Sequence, residues 1–310
     1  KEQILANLER WKWFPKEMGE EYIIVNIPDY KLILVKDNDT MRTHKVIVGR
    51  DKRPTPVLSS RLSNVILNPT WTVPPTILKE DVIPAISRNR NYLAQTNMKV
   101  YDSNGNEVSA NNWNQSRAKS YRYVQTPGTF NSLGMVKFSF PNRFSIYLHD
   151  TNHRDFFGKQ KRSLSSGCVR VQNPLELAEY LLGDATHWNI DKITEILQSK
   201  KTKHIKLKNE VNIHVLYWTA WSEKNVLIFR DDIYNLDAEL YQKCGLPIIK
   251  FLQKHKFLEK AKINKIKVNP KRIVVTGPPV DPRIIAKRKK KSPTAYRRRG
   301  LRLVITTSGL

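Results

Sequence analysis

The sequence predicts a mainly β fold with a few helices, of the β-rich α+β class. The first observation is a hairpin pattern, in which two apolar, β-branched runs, 22–27 and 30–35, flank the turn-forming pair Pro28-Asp29. The second is the recurrence of short apolar runs between turn residues along most of the chain. The third is that helical spacing of apolar residues occurs in only a few segments.

In the first half of the chain, helical spacing appears at 4–13, before the hairpin. Strands are expected at 44–48 and 63–67, each of them ending at turn or loop residues. The segment 78–92 again has helical spacing, but Pro84 is expected to kink or shorten that helix. These elements place one short helix ahead of the first strands and a second region of helix after them.

In the second half, strands are expected at 135–140 and 144–148, the latter leading directly into His149. Asn173-Pro174 opens a helix over 175–182, and another helix is expected near 191–198. The remaining predicted strands are 204–208, 213–220 and 226–229. Strands therefore outnumber helices here as well.

Charge divides the chain. The net charge of +26 is uneven, because residues 246–310 hold 19 Lys/Arg against two acids. We expect residues 1–20 to be a lead-in helix and linker that follow an upstream region, 21–241 to be the main domain, and 242–310 to be a basic tail. Such a tail is either a nucleic-acid or anion patch or a disordered or unrelated extension, and its composition favours the second. The sequence contains no run of eighteen apolar residues that could span a membrane.

A candidate catalytic pair lies in the stretch 147–174. His149 follows a predicted strand, and Cys168 ends the motif Ser165-Ser166-Gly167-Cys168. A thiol is a good nucleophile as the thiolate, which a nearby imidazole can generate, and backbone amides at a turn of small residues can hold an oxyanion. The alternatives are a structural Cys and His, or a zinc site that adds His153 but lacks a fourth ligand at a usual spacing.

Two other segments are candidates for substrate contact. In NPTWTVPPTI, 68–77, three prolines exclude regular structure and hold Trp71 on an extended backbone, either at a groove or on the rim of the core. Residues 94–126 form a long polar excursion, which is typical of a lid or of a disordered insertion. Gly128 and Gly134 mark places where the backbone must turn or approach another group closely.

These motifs together resemble the L,D-transpeptidases with a YkuD-like catalytic domain, and most closely their periplasmic YcbB type. The family signature is a His followed, after a variable stretch, by Ser/Thr-His/Ser-Gly-Cys, an apolar residue and Arg or Asn. Here it runs from His149 to Ser165-Ser166-Gly167-Cys168-Val169-Arg170. The flanking matches are NLERWKWFP, YIIVNIPDYKL, NPTWTVPPTI, PGTFNSLGMVKFSFPN, YLHD and FRDDIYNLD. The resemblance covers about 4–241 and excludes the tail.

The resemblance implies a YkuD-like β-sandwich with an inserted helical and loop capping subdomain at about 78–126. It implies Cys168 as the nucleophile and His149 as its base, with the Asp150 backbone carbonyl orienting the ring. Oxyanion donors would be the backbone amides of Gly167 and Cys168. Substrate-binding candidates are Arg170, Tyr147, Trp71 and Ser166. Arg170 suits a carboxylate, although a structural salt bridge is an equal alternative for it.

The implied reaction is a 3→3 cross-link between peptidoglycan stem peptides through a Cys thioester. The donor is a tetrapeptide stem, the acceptor is a diamino acid, and no cofactor or metal is implied. Carbapenems would acylate the same Cys. The expected location is the periplasm or cell envelope of a Gram-negative bacterium. Alternatives are an L,D-carboxypeptidase or a lipoprotein-anchoring enzyme of the same fold, and, more remotely, a basic nucleic-acid-binding protein with a structural Cys.

Overall fold

The computed structural model describes residues 2–15, 17–183, 187–223 and 226–244. The chain divides into two compact units, one formed by 19–216 and the other by the ends of the described chain, 2–18 and 217–244. None of the described helices is long and apolar enough to cross a membrane. The basic tail expected at 242–310 lies outside the described residues from position 245 onward.

The unit 19–216 is built on a mixed nine-stranded sheet. Its strand order is β10-β3-β11-β9-β8-β4-β12-β1-β2, and β3 also pairs with β2, so that the sheet closes on itself. Apolar side chains alternate along these strands and fill its interior. The strands are β1 (Glu21–Asn26), β2 (Lys31–Lys36), β3 (Asp39–Gly49), β4 (Leu58–Leu67), β8 (Val136–Ser139), β9 (Leu148–His149), β10 (Ser163–Ser165), β11 (Val169–Val171) and β12 (Lys203–Leu216).

Helices α5 and α6 lie between β11 and β12 in the sequence of this unit. Helix α5 (Pro174–Leu182) begins with proline at its first position and ends at Gly183, whose φ of 62° is the left-handed conformation that favours glycine. Helix α6 (Ile190–Gln198) is capped by the Asn189 side chain, which accepts a hydrogen bond from the backbone N–H of Lys192. With strands dominating and helices few, the predicted β-rich α+β class is confirmed.

A second, smaller sheet lies between β4 and β8 in sequence. It consists of β5 (Trp71–Thr72), β6 (Met98–Tyr101) and β7 (Arg122–Gln125), in the order β5-β7-β6. Helices α2 (Pro75–Ile77), α3 (Ile83–Arg88) and α4 (Tyr92–Gln95), the π-helical turn Leu78–Val82 and the 3-10 turn Gln115–Ser120 accompany it. These elements share a core of Val73, Val82, Ile86, Leu93, Met98, Val100, Trp113, Ala118, Tyr121 and Tyr123.

This substructure bears on two predictions. The polar stretch 94–126 contributes β6, β7 and a 3-10 turn to this substructure, and Trp113 donates a hydrogen bond to the Tyr123 hydroxyl at 2.8 Å inside the small core. The helix expected over 78–92 is divided into a π-helical turn and two short helices, with Pro84 in the first turn of α3. The insertion thus has a hydrophobic cluster of its own within the unit 19–216, and the capping subdomain expected at about 78–126 stays a prediction.

The unit formed by the chain ends contains α1 (Glu2–Trp11), β13 (Ala220–Glu223), β14 (Val226–Phe229) and α7 (Leu236–Cys244). Helix α1 packs here through buried polar contacts: Asn7 donates to the Thr219 hydroxyl at 2.7 Å, and Arg10 pairs with Asp237. Residues 2–11 are therefore a packed helix, and 217–241, expected to be part of the main domain, cluster with them rather than with 19–216.

One predicted strand is much shorter than expected. Of the run 144–148, only Leu148 belongs to a strand, and it forms β9 with His149. The preceding residues form a turn, in which the Asn142 side-chain oxygen accepts hydrogen bonds from the backbone N–H groups of Phe144 and Ile146, both at 3.0 Å. Ser145 in that turn has a φ of 55°, which a strand does not allow.

Candidate active site

Strand register brings the two candidate segments together. Strands β9 and β11 are parallel neighbours, with Leu148 opposite Val169 and His149 opposite Arg170. The backbone N–H of Val169 also donates to the Tyr147 carbonyl at 3.2 Å. Since paired residues point to the same side of a sheet, His149 and Arg170 share a face. Cys168, two residues before Arg170, therefore lies at the end of the strand that adjoins the candidate base.

The turn that carries Cys168 is held by short polar contacts. The Ser165 hydroxyl donates to the Cys168 carbonyl at 2.6 Å, and the Thr55 hydroxyl donates to the Gly167 carbonyl at 2.7 Å. Gly167 has a φ of 115°, which favours glycine. A Cβ at that position would also lie 3.3 Å from Ile146 Cδ1. Glycine in the Ser-Ser-Gly-Cys motif is thus explained by backbone conformation.

The two amides expected to hold an oxyanion, those of Gly167 and Cys168, differ in their contacts within this turn. The Gly167 N–H donates to the Ser165 hydroxyl at 3.1 Å and is therefore already engaged. The Cys168 N–H, the other expected donor, forms no hydrogen bond with the part of the chain that the structure describes. Both oxyanion roles stay predictions, and the Cys168 amide is the one of the two that has no hydrogen-bond partner among the described residues.

Cys168 is a partly exposed free thiol. Its sulfur lies 3.9 Å from the Ser145 carbonyl oxygen, to which it is aligned to donate. Burial of the sulfur raises the pKa of Cys168, while contacts with Tyr147 and the positive charges of Lys137 and Arg170 act in the opposite direction. The net result is a resting thiol rather than a preformed thiolate, so attack requires a base.

His149 is the candidate for that base. Its side chain is buried, and burial together with the charges of Arg170 and Lys137 lowers the pKa of His149 to about 3. The ring is therefore neutral at physiological pH and can accept a proton. Backbone carbonyls of Asp150 and Leu133 act on the ring and favour its protonated form. His149 Nδ1 is buried and has no hydrogen-bond partner among the described residues, so the orienting contact with the Asp150 carbonyl stays a prediction.

The Asp150 side chain has a separate, structural position. Its Oδ2 accepts the backbone N–H of Met135 at 2.9 Å and pairs with Arg154 at 3.0 Å. Gly134 lies directly against it, with a φ of 61°, and a Cβ there would come within 2.4 Å of Asp150 Oδ2. The close approach predicted for Gly134 is thus found, and it fixes the residue that follows the candidate base.

Replacing Gly134 by alanine is expected to destabilise the fold by about 2–4 kcal/mol, through positive-φ strain and the collision with buried Asp150. Chemical denaturation would measure the loss. Gly105→Ala tests backbone strain alone, because Gly105 has a φ of 86° and no atom lies within 4 Å of its Cβ position. Gly158→Ala is the unstrained control, because its Cβ position is equally open and its φ is not positive. Equal stability of all three variants would contradict the close approach.

Tyr147 and Trp71 lie together beside the sulfur. The Tyr147 ring is 5.6 Å from the His149 ring, centroid to centroid, in an edge-on arrangement. Burial raises the pKa of Tyr147, as does its contact with Cys168, while the Trp71 side chain lowers it by hydrogen bonding. The Tyr147 hydroxyl thus stays protonated and connects the Trp71 side chain to the nucleophile. Both residues thus lie near Cys168, and their contact with substrate stays a prediction.

Arg170 is a partly buried cation without a counter-ion. Its Nε and Nη1 are shielded from solvent and have no hydrogen-bond partner among the described residues. Burial lowers the pKa of Arg170, and the nearby Cys168 raises it. The predicted alternative of a structural salt bridge is therefore not found within the described chain. Unused donors of a fixed fork suit a carboxylate.

The structure adds two residues that the sequence reading missed. Lys137 of β8 lies opposite His149 in register, and its Nζ is 4.1 Å from the centroid of the Tyr147 ring. Arg53 donates to the Ser166 hydroxyl at 2.9 Å and pairs with Glu80 and Asp81 of the π-helical turn. In the sequence, Lys137 stands out only as a charged residue inside an apolar strand. Arg53 has no local signal, because its partners Ser166, Glu80 and Asp81 are distant in sequence.

Ser166 and His153 can now be placed. Ser166, predicted as a substrate contact, accepts the Arg53 hydrogen bond and so connects the catalytic turn to the small-sheet insertion. His153, considered as a third zinc ligand, stacks its ring on Phe156 at 5.1 Å between centroids. No group of three or more His, Cys, Asp or Glu within the described part of the chain is arranged to hold a metal ion.

Comparison with known proteins identifies the fold's family. The sequence model of the YkuD L,D-transpeptidase catalytic domain matches residues 20–205. A Haemophilus influenzae protein described as an L,D-transpeptidase is 38% identical over 242 residues, which are 77% of this chain and 49% of the relative. The chain thus spans about half the length of that curated relative.

Solved structures with some likeness include an Enterococcus faecium L,D-transpeptidase mutant, at 10% identity, a TM-score of 0.32, and coverage of 64% of this chain and 50% of the other. Another is an L,D-transpeptidase from Mycobacterium smegmatis, at 12% identity, a TM-score of 0.31, and coverage of 64% and 58%. The YcbB type stays a prediction. Because the family's sequence model covers more than half of the chain, the protein belongs to the YkuD family of L,D-transpeptidase catalytic domains.

Proposed function

We propose that this protein is a peptidoglycan L,D-transpeptidase that forms 3→3 cross-links between stem peptides through a Cys168 thioester. The observation that carries the proposal is the parallel pairing of β9 with β11, which puts the Cys168 turn beside the neutral, buried His149. A thiol next to an uncharged imidazole, with a free amide at the thiol's own residue, is suited to acyl transfer.

In the acylation half, His149 takes the Cys168 proton as the sulfur attacks the carbonyl carbon of the third residue of a tetrapeptide stem. The oxyanion is held by the Cys168 N–H. The carbon–nitrogen bond then breaks, His149 returns the proton to the leaving amine, and D-Ala departs. The product is a thioester between Cys168 and the shortened stem.

In the second half, the side-chain amine of an acceptor diamino acid attacks the thioester carbonyl. His149 accepts a proton from that amine, the carbon–sulfur bond breaks, and the proton returns to Cys168. Walls at Tyr147 and Trp71 and the cation Arg170 orient the stems. This cross-linking takes place in the cell envelope, so we place the protein in the periplasm; cell fractionation that finds it in the cytoplasm would contradict this.

Incubation of the purified chain with tetrapeptide stems is expected to give cross-linked dimers and free D-Ala, identified by mass spectrometry. Incubation with a carbapenem is expected to give an intact-mass adduct that maps by peptide digestion to Cys168, because a strained amide carbonyl meets the same nucleophile. Tripeptides without dimers would instead indicate a carboxypeptidase, and conjugates formed only with a lipoprotein lysine would indicate an anchoring enzyme. Absence of an adduct at Cys168 would contradict the thioester route.

A further inference from the structure

Lys137 and Arg170 flank His149 in a single row across three strands. Lys137 of β8 pairs with His149 of β9, and His149 pairs with Arg170 of β11. The neighbours of Lys137 within its strand, Val136 and Phe138, are fully buried on the opposite face. Alternation along the strand thus turns Lys137 toward the face of Cys168 and away from the core.

Neither of the two cations has an anionic partner in the structure. Among the described residues, the ionisable group that raises the pKa of Lys137 and of Arg170 is Cys168, which is an uncharged thiol in the resting site. Two unpaired cations at a partly buried site are costly to maintain. Lys137 is also partly exposed, so that a ligand can reach it. Lys137 and Arg170 therefore lack a counter-ion among the described residues, and an anionic group of a bound molecule would supply it.

The position of the row selects one carboxylate of the donor stem. His149 must face the leaving nitrogen to return a proton to it, and in a tetrapeptide that nitrogen belongs to D-Ala, whose carboxylate is two bonds away. The cations lie on both sides of His149. A carboxylate carried by the leaving residue therefore falls between them, whereas in a longer stem the same carbonyl is part of an uncharged amide.

We propose that Lys137, together with Arg170, binds the terminal carboxylate of the leaving residue, and that Lys137 makes the enzyme select donors that end one residue beyond the scissile bond. The inference rests on the proposed function and deepens it. Lys137 is thus a specificity-determining residue that contacts substrate, and the uncompensated charges of the apo site are matched in the donor complex.

Steady-state kinetics would test this with three donors: the tetrapeptide stem, the same stem with its C-terminal carboxylate amidated, and the stem amidated at the diamino acid carboxylate. For wild type, C-terminal amidation is expected to lower kcat/KM by about 10- to 100-fold, the value of a charge-assisted contact. Lys137→Met should lose a similar factor with the free acid but little with the C-terminal amide. Lys137→Arg should restore most of the loss.

Lys36→Met, which removes an exposed strand lysine, controls for net charge and should behave as wild type. Thermal melts confirm that each variant is folded. Equal losses on the acid and amide donors in Lys137→Met would overturn the inference, since they would mean that Lys137 acts only through Tyr147 or the sulfur. If Lys137→Met instead removed the difference in kcat/KM between the unmodified stem and the stem amidated at the diamino acid carboxylate, the choice of the terminal carboxylate would be overturned. Failure of the proposed function is distinguishable, because wild type would then form no dimer from the unmodified stem.

Discussion

Cys168→Ala is expected to reduce dimer formation from tetrapeptide stems by at least about 10⁴-fold, because no other nucleophile is available to form the acyl intermediate. The thioester itself should disappear from intact-mass spectra after donor is added, and so should the carbapenem adduct. Cys168→Ser is expected to be nearly as inactive, since an alcohol is far less ionised than a thiol beside the same base.

Folding is not expected to explain this loss. The Cys168 side chain is partly exposed, and its contact with the Ser145 carbonyl is long, at 3.9 Å. Thermal melts of the alanine variant should therefore match those of wild type. Dimers formed by Cys168→Ala at the wild-type rate would disprove covalent catalysis by this residue, and an unfolded variant would be detected by the melt before any kinetic comparison.

Local sequence patterns predicted most of the fold, because hairpins and helices depend on neighbours in sequence. The hairpin of β1 and β2 was predicted from period-2 apolar runs around a turn pair, and it pairs in register from Glu21↔Lys36 to Asn26↔Lys31. The alternating pattern at 144–148 predicts a strand, but most of this run forms a turn. The Asn142 side chain accepts hydrogen bonds from two backbone N–H groups of that turn, and an apolar pattern carries no signal for such a contact. The start signal Asn173-Pro174 predicts α5, which begins at Pro174.

The site was only partly predictable. Residue chemistry nominates His149 and Cys168, but their adjacency comes from a parallel pairing of β9 with β11 across the stretch 150–168, which no local signal specifies. Lys137 enters through the antiparallel pairing of β8 with β9, so it becomes visible only once the register is known. The oxyanion role of the Gly167 amide follows from motif position alone and stays a prediction, and in the structure this amide donates to the Ser165 hydroxyl.

His149→Gln is expected to lower kcat for cross-linking by about 10²–10⁴-fold, because proton transfer from Cys168 then has no positioned base. Glutamine keeps a planar polar side chain of similar size, so the loss reports on the proton rather than on a cavity. The rate of Cys168 alkylation by iodoacetamide at pH 7 should fall in parallel. Unchanged alkylation and turnover in the variant would show that another group removes the proton.

The same residue sets an acid dependence of stability. The pKa of His149 is lowered from 6.5 to about 3 in the folded chain, so the unfolded chain binds more protons between these values, and the stability contributed by neutral His149 is lost as pH falls below about 6.5. Glutamine does not titrate. The free energy of unfolding of wild type relative to His149→Gln should therefore drop by about 2 kcal/mol between pH 7 and pH 5. Urea denaturation at both pH values measures the difference, and a gap that does not change with pH would mean that His149 is not a buried neutral base.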